Sequence, residues 1–234
     1  MTAELIKSGS YPLDVRQVVK IVVYSLLVVN FTLYIRDDWV IAEHTLHNTS
    51  SLLDLTRAFA TTIDESAWIF LLILFELETY LLSDEPLPRA RTLLMQGIRV
   101  ICYISLSHTL YAYATNLVEI YGAVPLEGIT SLYQMIDQDV SYAYNLVYTK
   151  VSEANCAALS SATQFVYIDP PTHFIIEDRA GLVIEKQLGW VDLIEATTWL
   201  LILFTIEVTV WLQDRNIIEG NVFKFLTIIK IFLY

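Results

Sequence analysis

Basic residues are scarce in this chain: 14 Lys and Arg stand against 26 Asp and Glu in 234 residues, a formal charge of −12. That balance argues against nucleic acid or anionic headgroups as the main partner. Charge of either sign is thin, at 17% of residues, where soluble domains carry about a quarter. Cysteine is thinner still. Cys102 lies in an apolar run and Cys156 in a polar stretch, so no disulfide framework is expected. The phosphate loop, the dinucleotide fingerprint, the CxxC pair and the nucleophile elbow are also missing. Catalytic chemistry is therefore not announced, and no cofactor is expected. The opening stretch MTAELIKSGSYPLDVRQ lacks the charged-then-apolar pattern of a cleaved signal, so the first apolar helix is expected to stay as an anchor.

What the chain has in quantity is apolar sequence, 55% of its residues, with a mean hydropathy of +0.52. It is gathered in blocks, as in an integral membrane protein. A bilayer core of about 30 Å needs roughly 20 apolar helical residues. Spans are predicted at 16–35, 66–83, 92–114 and 193–212, with a shorter fifth run at 221–234. The expected fold is an all-α integral membrane helical bundle of about five transmembrane helices with a small α+β extramembrane cap. The fifth helix is read as truncated and a sixth is inferred beyond the chain. The divisions are 1–36 (N-terminal segment and first span), 37–65 (outer amphipathic connection), 66–114 (transmembrane hairpin), 115–190 (cap) and 191–234 (fourth span and start of the fifth).

Within the cap, Leu132, Met135, Ile136, Val140, Tyr144, Val147 and Val151 follow helical spacing, which predicts a helical hairpin. The later stretch QFVYIDPPTHFIIEDRAGLVIEKQ reads as short strands, broken at Pro170-Pro171 and turned at 178–181. Lys7, Arg16, Arg89, Arg91 and Arg215 fall in short connections on one side. The positive-inside rule then places the N-terminus in the cytoplasm and both long connections outside, in an inner membrane of bacterial type. Trp39, Trp68, Trp190 and Trp211 fall near predicted helix ends, as interfacial anchors.

Three stretches share one pattern of cation and tyrosine: QVVKIVVY at 17–24, QGIRVICY at 96–103 and TIIKIFLY at 227–234. Two others share LILF followed by a glutamate, Glu78 in one and Glu207 in the other. The alternation reads as an internal repeat of a basic helix, an outer connection and an acidic helix. It places Lys20, Arg99 and Lys230 in one layer with Glu78 and Glu207, and pairs Arg99 with Glu78 and Lys230 with Glu207. Glu76, two residues before Glu78, is an extra acid on another side of its helix. Such a layer reads either as ion pairs that set helix register or as a proton or ion path.

Ser105, Ser107, His108 and Thr109 make the third span polar in its outer half and form a candidate relay. Glu43, His44 and His47 spell E-H-x-x-H, with the glutamate misplaced for a zinc protease. They are metal candidates, weighed against a solvated outer helix. The expected function is a non-catalytic multi-pass protein in the lipid bilayer, assembling with itself or with other membrane subunits. An ion or proton channel or transporter is the alternative.

Overall fold

The computed structural model describes residues 15–47, 50–78, 88–169, 172–215 and 229. The fold is mostly helical. Its α-helices are α1 (Val15–Thr45), α2 (Leu52–Ala58), α3 (Ala60–Glu76), α4 (Arg89–Tyr121), α5 (Cys156–Leu159) and α6 (Arg179–Asp214). A 3-10 helix, Leu132–Gln138, and five short strands complete the described residues. Three helices are long and apolar enough to cross a membrane, over Gln17–Thr45, Arg89–Tyr121 and Arg179–Leu212. α2 and α3, bent by 69°, make a fourth if they are taken as one broken span. The predicted fifth run lies outside the described residues, apart from Ile229.

The helices are longer than their predicted spans. α1, α4 and α6 have 31, 33 and 36 residues, or about 46 to 54 Å at 1.5 Å per residue. Each therefore overshoots a bilayer core of about 30 Å. α1 runs on through RDDWVIAEHT because that last third has protein to pack on: Asp38 and Ala42 are buried there. α6 begins well before residue 193. Asp178 stands at its start and accepts hydrogen bonds from the N–H groups of Ala180 (3.0 Å) and Gly181 (2.9 Å). The turn expected at 178–181 is instead the cap of this helix.

The connection at 37–65 divides into the end of α1, a turn, and the short α2. A capping box starts α2: Ser51 Oγ accepts from the Asp54 N–H, and Asp54 Oδ2 accepts from the Ser51 N–H. Phe59, where the chain bends, offers α3 no side-chain cap. Asp38 supplies it from α1, its Oδ2 accepting from the Thr62 N–H at 2.7 Å. One buried carboxylate thus caps one helix from another.

α1 packs on α3, α3 on α4 and α4 on α6, with no comparable contact from α1 to α6. Among the described residues the spans form a row rather than a closed ring. Ala67, Cys102 and Leu106 are its buried centre, surrounded by Trp68, Leu71, Ile98, Leu200 and Leu203. Trp68, expected at a helix end, lies mid-helix against Trp199 with ring centroids 5.8 Å apart. Gly189 lets α4 and α6 approach closely, since a Cβ there would lie 3.0 Å from Leu117 Cδ1.

The cap holds a five-stranded mixed sheet in the order β1-β4-β5-β2-β3. Its strands are β1 (Val124–Pro125), β2 (Ser141–Tyr144), β3 (Val147–Lys150), β4 (Phe165–Tyr167) and β5 (Ile175–Asp178). β2 runs parallel to β5, and the other pairings are antiparallel. β4 and β5 fall in the stretch read as strands. The helical hairpin does not form. Val140, Tyr144, Val147 and Val151 belong to or flank the β2–β3 hairpin, whose turn residues Asn145 and Leu146 have φ of 51° and 63°. Two left-handed residues match the twist of a two-residue hairpin turn, and the β-branched and aromatic side chains suit a strand. One sheet face covers Leu132, Met135, Cys156 and Phe165 with Ile176; the other packs Ala143, Ile168 and Ile175 against Leu182 of α6.

Two substitutions test this packing by thermal unfolding in detergent micelles. Gly189→Leu drives a side chain into Leu117 and should cost about 1–3 kcal/mol. Asp38→Ala should cost about 1 kcal/mol through the lost α3 cap, and Asp38→Asn should recover most of it.

Candidate functional site

The polar groups of the helices collect at two levels. At the end away from the cap, each contact in the helix row carries a carboxylate held by donors from the next helix. Between α1 and α3, Lys20 Nζ donates to both oxygens of Glu76 at 2.9 Å, and the Tyr24 hydroxyl donates to the same carboxylate at 2.5 Å. Between α3 and α4, Arg99 donates to both oxygens of Glu78 at 2.9 Å. Between α4 and α6, the Tyr103 hydroxyl donates to Glu207.

Local structure explains the division. Residues 76 and 78 lie about 200° apart around a helix, so Glu76 meets α1 while Glu78 meets α4. A wider π-type turn carries Leu77 and Glu78. On the donor side, the cation and the tyrosine of the shared pattern are four residues apart and lie on one helix face. In α1 both donors converge on one acid; in α4 they divide between two acids on different helices.

Glu76, read as an extra acid, is thus the partner of Lys20. Lys230 lies outside the described residues, so its expected pairing with Glu207 does too. The donors that the charge pattern alone does not name are Tyr24 and Tyr103, although the spacing of tyrosine from cation is the same in all three stretches. That constant spacing was the available signal.

The second level lies toward the cap. Asp64 of α3 sits by Thr109 and Trp68, within electrostatic reach of Glu65 and Glu195. Asp192 is within reach of Glu195, and Tyr113 of α4 feels Asp64, Asp192 and Asp38. Hydropathy does not single out this acidic belt, because Asp64, Glu65 and Asp192 stand just outside predicted apolar spans and Glu195 just inside the end of one. Nearby, Arg57 donates to Glu119 at 2.7 Å, tying α2 to α4. Trp190 donates to the Tyr121 hydroxyl at 3.2 Å, tying α6 to α4.

The proposed relay of α4 does not form a chain. Thr109 is fully buried, and its hydroxyl lies within hydrogen-bond distance of the carbonyls of Ser105 (3.2 Å) and Ala60 (3.4 Å). Ser107 is exposed and bonds the Tyr103 carbonyl. His108 keeps a buried Nε2 without a partner. The candidate metal ligands also diverge. Glu43 accepts from Trp39, His44 Nδ1 meets Ser141 Oγ at 2.7 Å, and His47 packs on Phe174. Among the described residues, no group of three or more His, Cys, Asp or Glu side chains is placed to hold a metal. The His44 and Arg57 contacts bring both long connections to one end of the helix row.

No family model, curated protein or solved structure matches the chain.

The donor geometry makes a graded prediction for tyrosine-to-phenylalanine variants. Tyr24→Phe leaves Lys20 on Glu76 and should lower the unfolding temperature only slightly. Tyr103→Phe removes the hydroxyl that α4 offers Glu207 and should cost about 1 kcal/mol in micelles.

Proposed function

We propose that the chain is a non-catalytic multi-pass membrane protein that assembles with copies of itself or with other membrane subunits. Its polar clasps set the register of the helices. The observation that carries this reading is the Arg99–Glu78 pair. It lies on an open row of helices, and its side chains are 32% and 41% exposed. Ionised groups at membrane depth are costly unless they are paired and covered, and a further helix laid against the row would cover them. The apolar window of α1 is wholly unburied, so the row ends on a face that lipid or another subunit must complete. In this reading the clasps lie toward the cytoplasm and the cap stands outside.

The acidic belt of Asp64, Glu65, Asp192 and Glu195 favours a second reading, movement of protons or cations, because a cluster of one sign concentrates cations. Against it, each described carboxylate of the far layer already has a donor.

A charge-removal cycle separates the two. On the assembly reading, Glu78→Leu or Arg99→Leu alone should lower stability and weaken assembly, because each leaves one charge without its partner. The double leucine variant should recover most of both. Stability is read by unfolding in micelles and assembly by native mass spectrometry. A stable Glu78→Gln protein that loses proton or cation flux in liposomes would displace assembly in favour of transport.

A further inference from the structure

Glu177 and Asp178 are neighbours on β5 and meet opposite fates. Burial pushes the Asp178 carboxyl up. Hydrogen bonds from the Gly181 N–H, the Tyr142 and Ser160 hydroxyls and the Ala180 N–H outweigh it and hold Asp178 below the usual carboxylate range. Glu177 projects from the other face of the strand, is 0% exposed, and among the described residues has no hydrogen-bond partner for either carboxyl oxygen. Burial, then the charges of Glu185 and Asp178, push it up to about 9.

The side chain lies directly over the first turn of α6. A Cβ built on Gly181 would clash with Glu177 Oε1 and fall 2.8 Å from its Cδ, so glycine is what leaves it room. One turn further along that side of α6 is Glu185, 4% exposed, whose Oε1 accepts from the Leu146 N–H at 2.9 Å. Among the described residues, the titratable groups that act on Glu177 or feel its charge are acids and phenols: Glu185 from α6, Asp178 from its own strand, Tyr148 from β3 and Tyr142 from β2. Arg179, at the start of α6, is exposed and donates to Gln164 at 3.3 Å. Of the nearby cations, Lys150 pairs with Asp139 and Lys186 lies over the Tyr121 ring.

We propose that Glu177 and Glu185 form a proton-binding site at the junction of the cap and α6, with one proton held on Glu177. The ligand is a proton rather than a metal ion. Glu185 already serves Leu146, the α6 backbone presses on the Glu177 carboxyl, and no third ligand stands beside them among the described residues. With the proton in place, two buried carboxyls can share one dry junction. Without it, two like charges must separate.

The sign follows from linkage. The folded value lies above the ordinary 4.5 of a free glutamate, at about 9. The associated stability is full at low pH and is lost progressively as pH rises between those values. The β2–β3 turn should open first, because Leu146 holds a left-handed φ of 63° there and Glu185 is what fastens it.

Infrared difference spectroscopy on the full chain in nanodiscs, with isotope-labelled glutamate, tests the site. At about pH 7 a protonated-carboxyl band is expected that is lost at about pH 10 and is absent from Glu177→Gln. Glu185→Gln should move its midpoint down by about one unit, a tenfold loss of proton affinity. A spectrum unchanged by Glu177→Gln would overturn the proposal. So would a band removed at neutral pH by sodium, potassium or calcium, which would make the ligand a metal cation. Should Glu177→Gln fail to fold, wild-type hydrogen exchange at the Leu146 amide decides, after correction for the intrinsic rate. Opening at least about tenfold greater at pH 10 than at pH 7 is expected, and a flat profile overturns the site.

Discussion

A carboxylate set among apolar helices must be met by a donor, and in this molecule the donor comes from the next helix. That requirement orders the row. α3 ends on Glu76 and the π-type turn after it carries Glu78 to the opposite side, so Glu76 fastens this segment to α1 and Glu78 fastens it to α4. α4 in turn presents Arg99 to one neighbour and Tyr103 to the other. No apolar contact between membrane helices has comparable direction, because lipid tails are as apolar as leucine. Shape packing around Ala67, Cys102 and Leu106 brings the helices together; the carboxylates decide their depth.

The same rule acts at the other end with different donors. Asp38 is buried because the first turn of α3 has N–H groups that Phe59 cannot cap. Arg57 and Glu119 join α2 to α4 at that level. At this level polar contacts fasten α1 to α3 and α2 to α4.

The long apolar helices were legible in the sequence, since apolar blocks are one-dimensional signals. The Arg99–Glu78 contact was legible too, from a tight connection between antiparallel spans. Helix ends were not, because hydropathy marks where lipid stops and not where a helix stops. α1 continues ten residues beyond Ile35 on contacts with α3 and the cap. The cap misled for another reason. Val140, Tyr144, Val147 and Val151 stand at helical intervals by virtue of a two-residue turn, which restores the spacing between two strands. Gly181, read as a turn, is a concession to the buried Glu177 side chain. The acidic belt escaped notice because its members lie on different helices and only packing assembles them.

α6 carries both a cap-side acid and a far-end clasp, Glu185 and Glu207, about 33 Å apart along one helix. A disturbance at the first must either travel down α6 or be absorbed where it arises. Two features oppose travel: the close fit of Gly189 on Leu117, and the Tyr103 hydroxyl on Glu207. Packed helices shift between discrete arrangements rather than deforming continuously, and nothing in this contact offers α6 a second seat. The β2–β3 turn is held by Glu185 through the Leu146 N–H, and it already holds two left-handed residues. Charge separation at the cap junction therefore acts on the hairpin, while the clasped ends of the helices stay in register.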